Sequence, residues 1–465
     1  MRVLIVGLGG GGCRLVDSLY AQDQRFGAIH CLSGLAVDNN AEDLNGLEHV
    51  PKEQKIFFQP LYPGESEDFL TAIPIEEVIA KIQSLDSGDI DAIILCAGMG
   101  GTGADIIPEL TAAIRKSMYE PVFGLFILPC SREGSTISAK AALQIDAQKP
   151  ELDGVILFDN QTWFHKIADQ LDAPEERSDL ERFLPAKRKQ VPESRRKKAY
   201  RLLNEVISRR IGLILRAGEF NERGRMEIAE VVLDAGEVLN TIKGMGFITI
   251  GYAVAQVDSP QFDLINRLRS VSPSIEEGHK KALRVVELAK KAIYEEISTP
   301  CDLSTAHKAL ILIAGPSHEM SMKGFMMVRK WIDRSIRGLE VRSGDYPVNN
   351  TGYLSIIIIL AGLENIPRLD ELRAFRNELY GVPEHASPIG EKPDSRMSDP
   401  NESSGIRTRN DDYSTHILSV GPSSIKKEDR EPTEYFNQKS GNKEVAESGD
   451  NENQESRKER DIFWL

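Results

Sequence analysis

The chain has 465 residues, enough for two or three domain-sized units, and its composition of 41% hydrophobic and 28% charged residues excludes collagen-like, coiled-coil and wholly disordered classes. Lysine and arginine number 57 against 71 aspartates and glutamates, a net charge of −14, which argues against nucleic acid as a partner because phosphate-binding proteins carry a basic face. Cys13, Cys31, Cys96, Cys130 and Cys301 are odd in number and lack CxxC or Cys/His spacing, so neither a disulfide framework nor a metal site is expected. No stretch approaches the ~20 apolar residues of a membrane span, and the apolar run at 3–6 is too short for a signal peptide. A cytoplasmic protein without a transmembrane segment is the expectation.

In chain order, short apolar runs at 3–6, 34–37, 90–97, 122–128 and 154–158 are bounded by Gly, Pro or Asp, the pattern of buried parallel strands in a doubly wound α/β sheet. Residues 1–198 therefore form a first domain, nucleotide-binding in type, whose stretch 168–198 is a charged, proline-containing insertion with basic clusters at 187–189 and 195–198. A solvated surface is the plain reading of that insertion, and contact with a polyanion or an anionic membrane the sharper one. Helical spacing of Leu202, Leu203, Val206, Ile207, Ile211 and Ile214 predicts a central helix over 199–217, followed by a loop and linker region at 218–246. Strand-like runs at 247–254, 310–314, 339–341 and 354–360 alternate with helical patterns at 275–297 and 320–336, giving a second, smaller α/β domain over 247–380. The remainder, 381–465, is polar and poor in aliphatic residues and is expected to be disordered; its apolar end, Asp461–Leu465, reads as a docking peptide on a tether or as a plain chain end.

The first strand runs into Gly7, Gly9, Gly10, Gly11 and Gly12 and then a helix, a turn whose backbone N–H groups can approach phosphate beside a helix N-terminus. With Asp38 at the end of the second strand as a ribose ligand, the same string fits a Rossmann NAD-dependent oxidoreductase. A second glycine-rich strand-to-helix turn, Gly98, Gly100, Gly101, Thr102 and Gly103, is not required by a dinucleotide and suits a nucleotide's phosphate chain better.

At this point the chain resembles the tubulin/FtsZ superfamily of filament-forming GTPases, most closely its archaeal CetZ branch. The stretch from Ala97 to Gly103 is similar to the family's signature loop with one glycine missing. Glu120, Pro121, Gly124, Pro129, Glu133 and Gly134 resemble the next strand and ribose loop, Asp159 and Asn160 the nucleotide loop after it, and Asn204 the guanine-reading position of the central helix. The segment from Val231 to Thr241 resembles the catalytic loop and runs into Gly246, Gly251 and Tyr252; Gly315, Pro316, Trp331 and Gly344 to Pro347 continue the likeness, which covers most of residues 1–375.

The resemblance implies a tubulin/FtsZ-like fold, bound GTP or GDP with Mg²⁺, and a head-to-tail homopolymer in which Asp234 and Glu237 of one subunit complete the site of the next and orient a water, with a role in cell shape or envelope organisation. The sequence departs from the pattern in several places. Val232 replaces an asparagine, the loop at 60–72 offers only Gly64, the phosphate loop is one residue short, Asp105 follows it in place of a small residue, and Cys13 fills a slot for Gly or Asn. These departures keep open a nucleotide-binding scaffold that has lost efficient hydrolysis.

Overall fold

The computed structural model describes residues 1–25, 30–58, 73–86, 88–172, 195–216, 233–257, 275–348 and 351–381. The loop at 60–72, residues 173–194 of the charged insertion, Val232 and the tail from 382, with its peptide Asp461–Leu465, lie outside the described residues.

Ten strands form one sheet: β1 (Val3–Leu8), β2 (Leu32–Asp38), β3 (Lys55–Phe57), β4 (Ala92–Gly98), β5 (Val122–Leu128), β6 (Gly154–Asp159), β7 (Phe247–Gln256), β8 (Lys308–Gly315), β9 (Glu340–Pro347) and β10 (Tyr353–Leu363). Their order is β3-β2-β1-β4-β5-β6-β7-β10-β8-β9. Neighbours from β3 to β7 are parallel, β10 runs antiparallel to both β7 and β8, and β8 pairs parallel with β9. The two expected domains are thus joined in a single sheet, stitched by Val155↔Phe247 and Ile156↔Ile248.

All six residues of β1 are buried, because both faces of the sheet are covered and alternate side chains enter opposite cores. Val3 and Ile5 meet α1 (Gly9–Arg25), α6 (Asn160–Asp172), the central α7 (Arg195–Arg216) and α8 (Ala235–Ile242). Leu4, Val6 and Leu8 share the other core with α3 (Ile75–Leu85), α4 (Ile107–Ser117), α5 (Ser135–Gln148), α9 (Ile275–Tyr294), α10 (Met322–Ser335) and α11 (Pro367–Tyr380). The short α2 (Ala41–Asn45) follows β2.

Expected elements are found within a few residues at most ends, while β3 and α11 have no expected counterpart and β9 is longer than expected. β9 extends to Pro347, well past the expected 339–341, because it is paired on one side only and half-solvated, so its later residues need not be apolar. The buried face of α11 is little more than Arg368, Leu369 and Leu372. No helix among the described residues is long and apolar enough to cross a membrane.

Candidate functional site

β1 is followed by connections to one side of the sheet and β4 lies on its other side, so the boundary between them is a topological switch point where a crevice opens at the strands' C-terminal ends. A cleft of 1260 Å³ lies there, walled by Gly11 and Arg14 of α1, Gly98, Gly100 and Gly101 after β4, Pro129 and Glu133 after β5, Asn160 after β6, and Tyr200, Asn204 and Ser208 of α7.

The predicted glycines divide into two groups. Gly11 and Gly98 face each other across the β1/β4 boundary, a Cβ on Gly11 standing 3.7 Å from the Gly98 backbone, and a Cβ on Gly98 would meet nothing within 4 Å. Gly12 and Gly103 serve packing instead: a Cβ on Gly12 would lie 2.1 Å from the Cys96 carbonyl, and one on Gly103 would lie 2.7 Å from the Leu8 carbonyl and the Gly9 nitrogen. The two glycine-rich turns therefore interlock backbone to backbone. Gly9 takes φ +69° at the start of α1, and a Cβ on Gly10 would meet the Arg14–Asp43 ion pair. Thr102 opens a 3-10 turn behind the cleft wall.

Side chains of α5 grip the second turn. The Gly100 N–H donates to Gln144 Oε1 at 2.6 Å, while Gln144 Nε2 donates to the Gly101 carbonyl at 2.8 Å and to Asp105 Oδ1 at 2.5 Å. Met99 N–H and Gly101 N–H donate to the carbonyls of Ile127 and Gly98. Two backbone donors expected to face phosphate, those of Gly100 and Gly101, are thus used internally, and the glycine-built N-terminus of α1, with no acidic residue in its first turn, adds its positive end to the basic side chains Arg14 and Arg201 of the crevice. Asp105 turns away from the cleft, its Oδ2 held by Lys140 Nζ at 2.7 Å.

Glu133 lies on the cleft wall with its Oε1 accepting from the Cys130 N–H at 2.9 Å. The buried Asn160 has a side-chain oxygen with no hydrogen-bond partner among the described residues, and so does Gln22 Oε1 farther along α1. Unpaired buried acceptors on a cleft wall await a donor, and the amino and imino groups of a purine are of that type. A backbone crevice with open space at Gly98, orphaned acceptors beside Asn204 and Tyr200, and a helix N-terminus together fit a purine nucleotide's base and phosphates.

Asp38 is 3% exposed and does not line the cleft; one oxygen accepts from the Asn40 N–H and the other has no partner among the described residues, and burial pushes its carboxyl above the usual range. It does not offer the open carboxylate that a ribose ligand needs. Cys13 is fully buried, its Sγ within 3.4 Å of the Gly7 carbonyl, and burial raises its thiol well above normal, which removes it as a nucleophile.

Asp234 and Glu237 do not meet the cleft within one chain. Asp234 caps α8, accepting from the Glu237 N–H at 2.8 Å, and the Glu237 carboxylate pairs with Arg342 Nη1 at 2.6 Å. Lys308 Nζ donates to the Asn240 carbonyl in the same helix. Lys308 and Arg342 stand at the starts of β8 and β9, strands that run in the same direction as β1, so α8 lies at the opposite edge of the sheet from the glycine turns.

Sequence reasoning missed Gln144, Lys140 and the buried Arg368 of α11. Arg368 Nη2 donates to the Pro129 carbonyl at 2.6 Å, its Nε lies 3.3 Å from Asp159 Oδ1 and its Nη1 pairs with Glu371, so it braces two of the loops that wall the cleft. No local pattern marks these residues; their partners come from distant segments.

The class defined by this fold is a doubly wound nucleotide-cleft sheet extended by a mixed second half. Residues 2–168 match the tubulin/FtsZ family GTPase-domain model, and residues 193–378 match that of the tubulin-like CetZ C-terminal domain. The tubulin-like protein CetZ1 of Haloferax volcanii is 30% identical over 388 residues, covering 80% of this chain and 91% of the relative. The structure of the GDP-bound CetZ1 monomer superposes with a TM-score of 0.62 at 27% identity, over 82% of this chain and 100% of that one. The GTPγS-bound protofilament of Haloferax CetZ2 shares the fold, with a TM-score of 0.62 at 24% identity over 82% and 99%. The chain belongs to the CetZ family of tubulin-like proteins.

Proposed function

We propose that the chain is a cytoskeletal GTPase that binds GTP or GDP in the β1/β4 cleft and assembles head to tail, acting in cell shape or envelope organisation. The observation that carries this reading is the separation of the two halves of the chemistry: the glycine crevice lies at one edge of the sheet and Asp234 and Glu237 at the other. Acids so placed can reach a cleft only on another copy, and a heterologous contact of that kind repeats into an open filament. The related structures, a GDP-bound CetZ1 and a GTPγS-bound CetZ2 protofilament, support both the ligand and the assembly.

In this reading Gly9 to Gly11 present backbone donors to phosphate, Gly98, Gly100 and Gly101 let it approach the β4 edge, Glu133 sits on the ribose side, and Asn160 and Asn204 meet the base. Bound GTP supplies the phosphoryl group to be transferred to water. No group of three carboxylate, Cys or His side chains among the described residues could hold a metal, so Mg²⁺ would be held chiefly by phosphate oxygens and water. Asp234 and Glu237 orient water at the neighbouring subunit's cleft and accept its proton. The peptide Asp461–Leu465 is a docking element for a separate partner, on the strength of its apolar sequence after a polar run.

The internal use of the Gly100 N–H and the Glu237–Arg342 pair favour, as a second reading, a nucleotide-binding scaffold with little turnover. One experiment separates the two: phosphate release and sedimentable polymer followed together with Mg²⁺ and GTP, GDP or neither. GTP-dependent polymer with phosphate release is expected, and Asp234→Ala with Glu237→Ala should lower turnover about 10²- to 10⁴-fold while nucleotide still binds. Tight GTP binding with neither signal would favour the scaffold, and absence of guanine-nucleotide binding would sink both.

A further inference from the structure

On the face of the sheet away from the central helix, α9 and α10 lie flush, because Gly324 lets the helices touch: a Cβ there would stand 2.6 Å from the Ala282 carbonyl. Tyr294 and Trp331 close the same seam, with ring centroids 6.1 Å apart. α10 buries Phe325, Val328 and Ile332, which turns the rest of its surface outward.

That outward surface has an unusual composition. Lys323, Arg329, Lys330 and Arg334 are exposed and make no ion pair among the described residues, against Asp333 as the helix's one acid. By contrast Arg14, Lys140, Arg342 and Arg368 are each held by a carboxylate, and the chain as a whole carries −14. Four of the ten methionines, Met320, Met322, Met326 and Met327, fall within this one stretch. Met326 and Met327 are 50% and 47% exposed, and Leu283 and Tyr294 of the neighbouring α9 are 56% and 67% exposed.

From these observations we propose that the exposed face of α10 docks on an anionic lipid bilayer. Between Met322 and Arg334 every exposed side chain is Met, Lys, Arg or the single Asp333, with no neutral hydrogen-bonding group to read a partner's shape. Apolar side chains ringed by unpaired cations recognise a plane of negative charge with an apolar layer beneath it. Methionine side chains adapt to such a surface without requiring a fixed partner. The proposal is independent of nucleotide chemistry.

The test is flotation of the full chain, without nucleotide, on vesicles of phosphatidylglycerol mixed with phosphatidylcholine and on phosphatidylcholine alone. The chain should float with the anionic vesicles only, and less so as salt is raised. Replacing Lys323, Lys330 and Arg334 by Gln should weaken partitioning roughly fivefold per residue, about a hundredfold together, with the unfolding midpoint unchanged. Met326→Ser with Met327→Ser should weaken binding at constant charge. No flotation, or equal flotation on neutral vesicles, would overturn the proposal. Undiminished flotation of the Gln variant would do the same by moving the lipid contact elsewhere, as to the basic clusters at 187–198. Loss of lipid-free self-association by either variant, with flotation intact, would make this face a protein contact instead.

Discussion

Gln144→Ala isolates the grip of α5 on the second glycine turn. The side chain is 6% exposed and makes three hydrogen bonds, to Gly100, Gly101 and Asp105. At about 1 kcal/mol net for each, their loss amounts to about 3 kcal/mol, less whatever water recovers, since Gly100 and Gly101 border an open cleft. Asp105 keeps Lys140, so no buried charge is left alone. Urea unfolding of ligand-free protein reads the stability term. If Gln144 also holds the turn in the shape that accepts nucleotide, part of that energy becomes an ordering cost on binding, and each 1.4 kcal/mol so transferred weakens GTP about tenfold. Gln148→Ala is the control, because Gln148 bonds the Ala104 carbonyl behind the turn and does not line the cleft. It should cost about 1 kcal/mol of stability with no change in affinity. Gln144→Glu should fall below Gln144→Ala at neutral pH, since it sets a carboxylate against Asp105. Wild-type affinity in Gln144→Ala despite lost stability would refute the positioning role, and unchanged stability would refute the hydrogen-bond accounting itself.

Two further outcomes follow from burial. Asp38→Asn should stabilise the fold at neutral pH. Desolvation raises the Asp38 carboxyl in the folded state, so the wild type is at full stability below the unfolded carboxyl's pKa and loses stability as pH rises through the folded one; the variant's advantage in urea melts should vanish in acid, and an advantage independent of pH would count against the burial argument. Gly103→Ala should cost about 3 kcal/mol, because its Cβ meets backbone that cannot rotate aside. A near-neutral melt would show that the two glycine turns are not locked together.

The strands were legible because a sheet covered on both faces needs unbroken apolar runs, and Val3 to Leu8 and Val122 to Leu128 supply them. β3 was not, being three residues long, and α11 was not, because charges surround its small buried face. For the cleft, both glycine-rich turns picked out from the sequence border it, while the helix that Asp234 caps lies inside the segment 218–246 read as loop and linker. Which glycines face the cleft and which pack was hidden, since Gly12 and Gly103 owe their constraint to Cys96 and Leu8 across the fold. The joining of both halves into one sheet was equally invisible, as it rests on a short β6–β7 pairing between segments some ninety positions apart.

The clasp of α11 on α5 sets an order of events during synthesis. Arg373 and Arg376 both bind Asp146, more than two hundred positions earlier in the chain, and Arg368 reaches back to Pro129 and Asp159. A growing polypeptide can complete β1 to β6 early, yet the segments that wall the crevice lack their final brace until residue 376 has left the ribosome. Nascent chains halted before that point should carry a loosened crevice and an uncovered apolar strip on α5, a natural foothold for chaperones, and competence for ligand should arrive late and in one step.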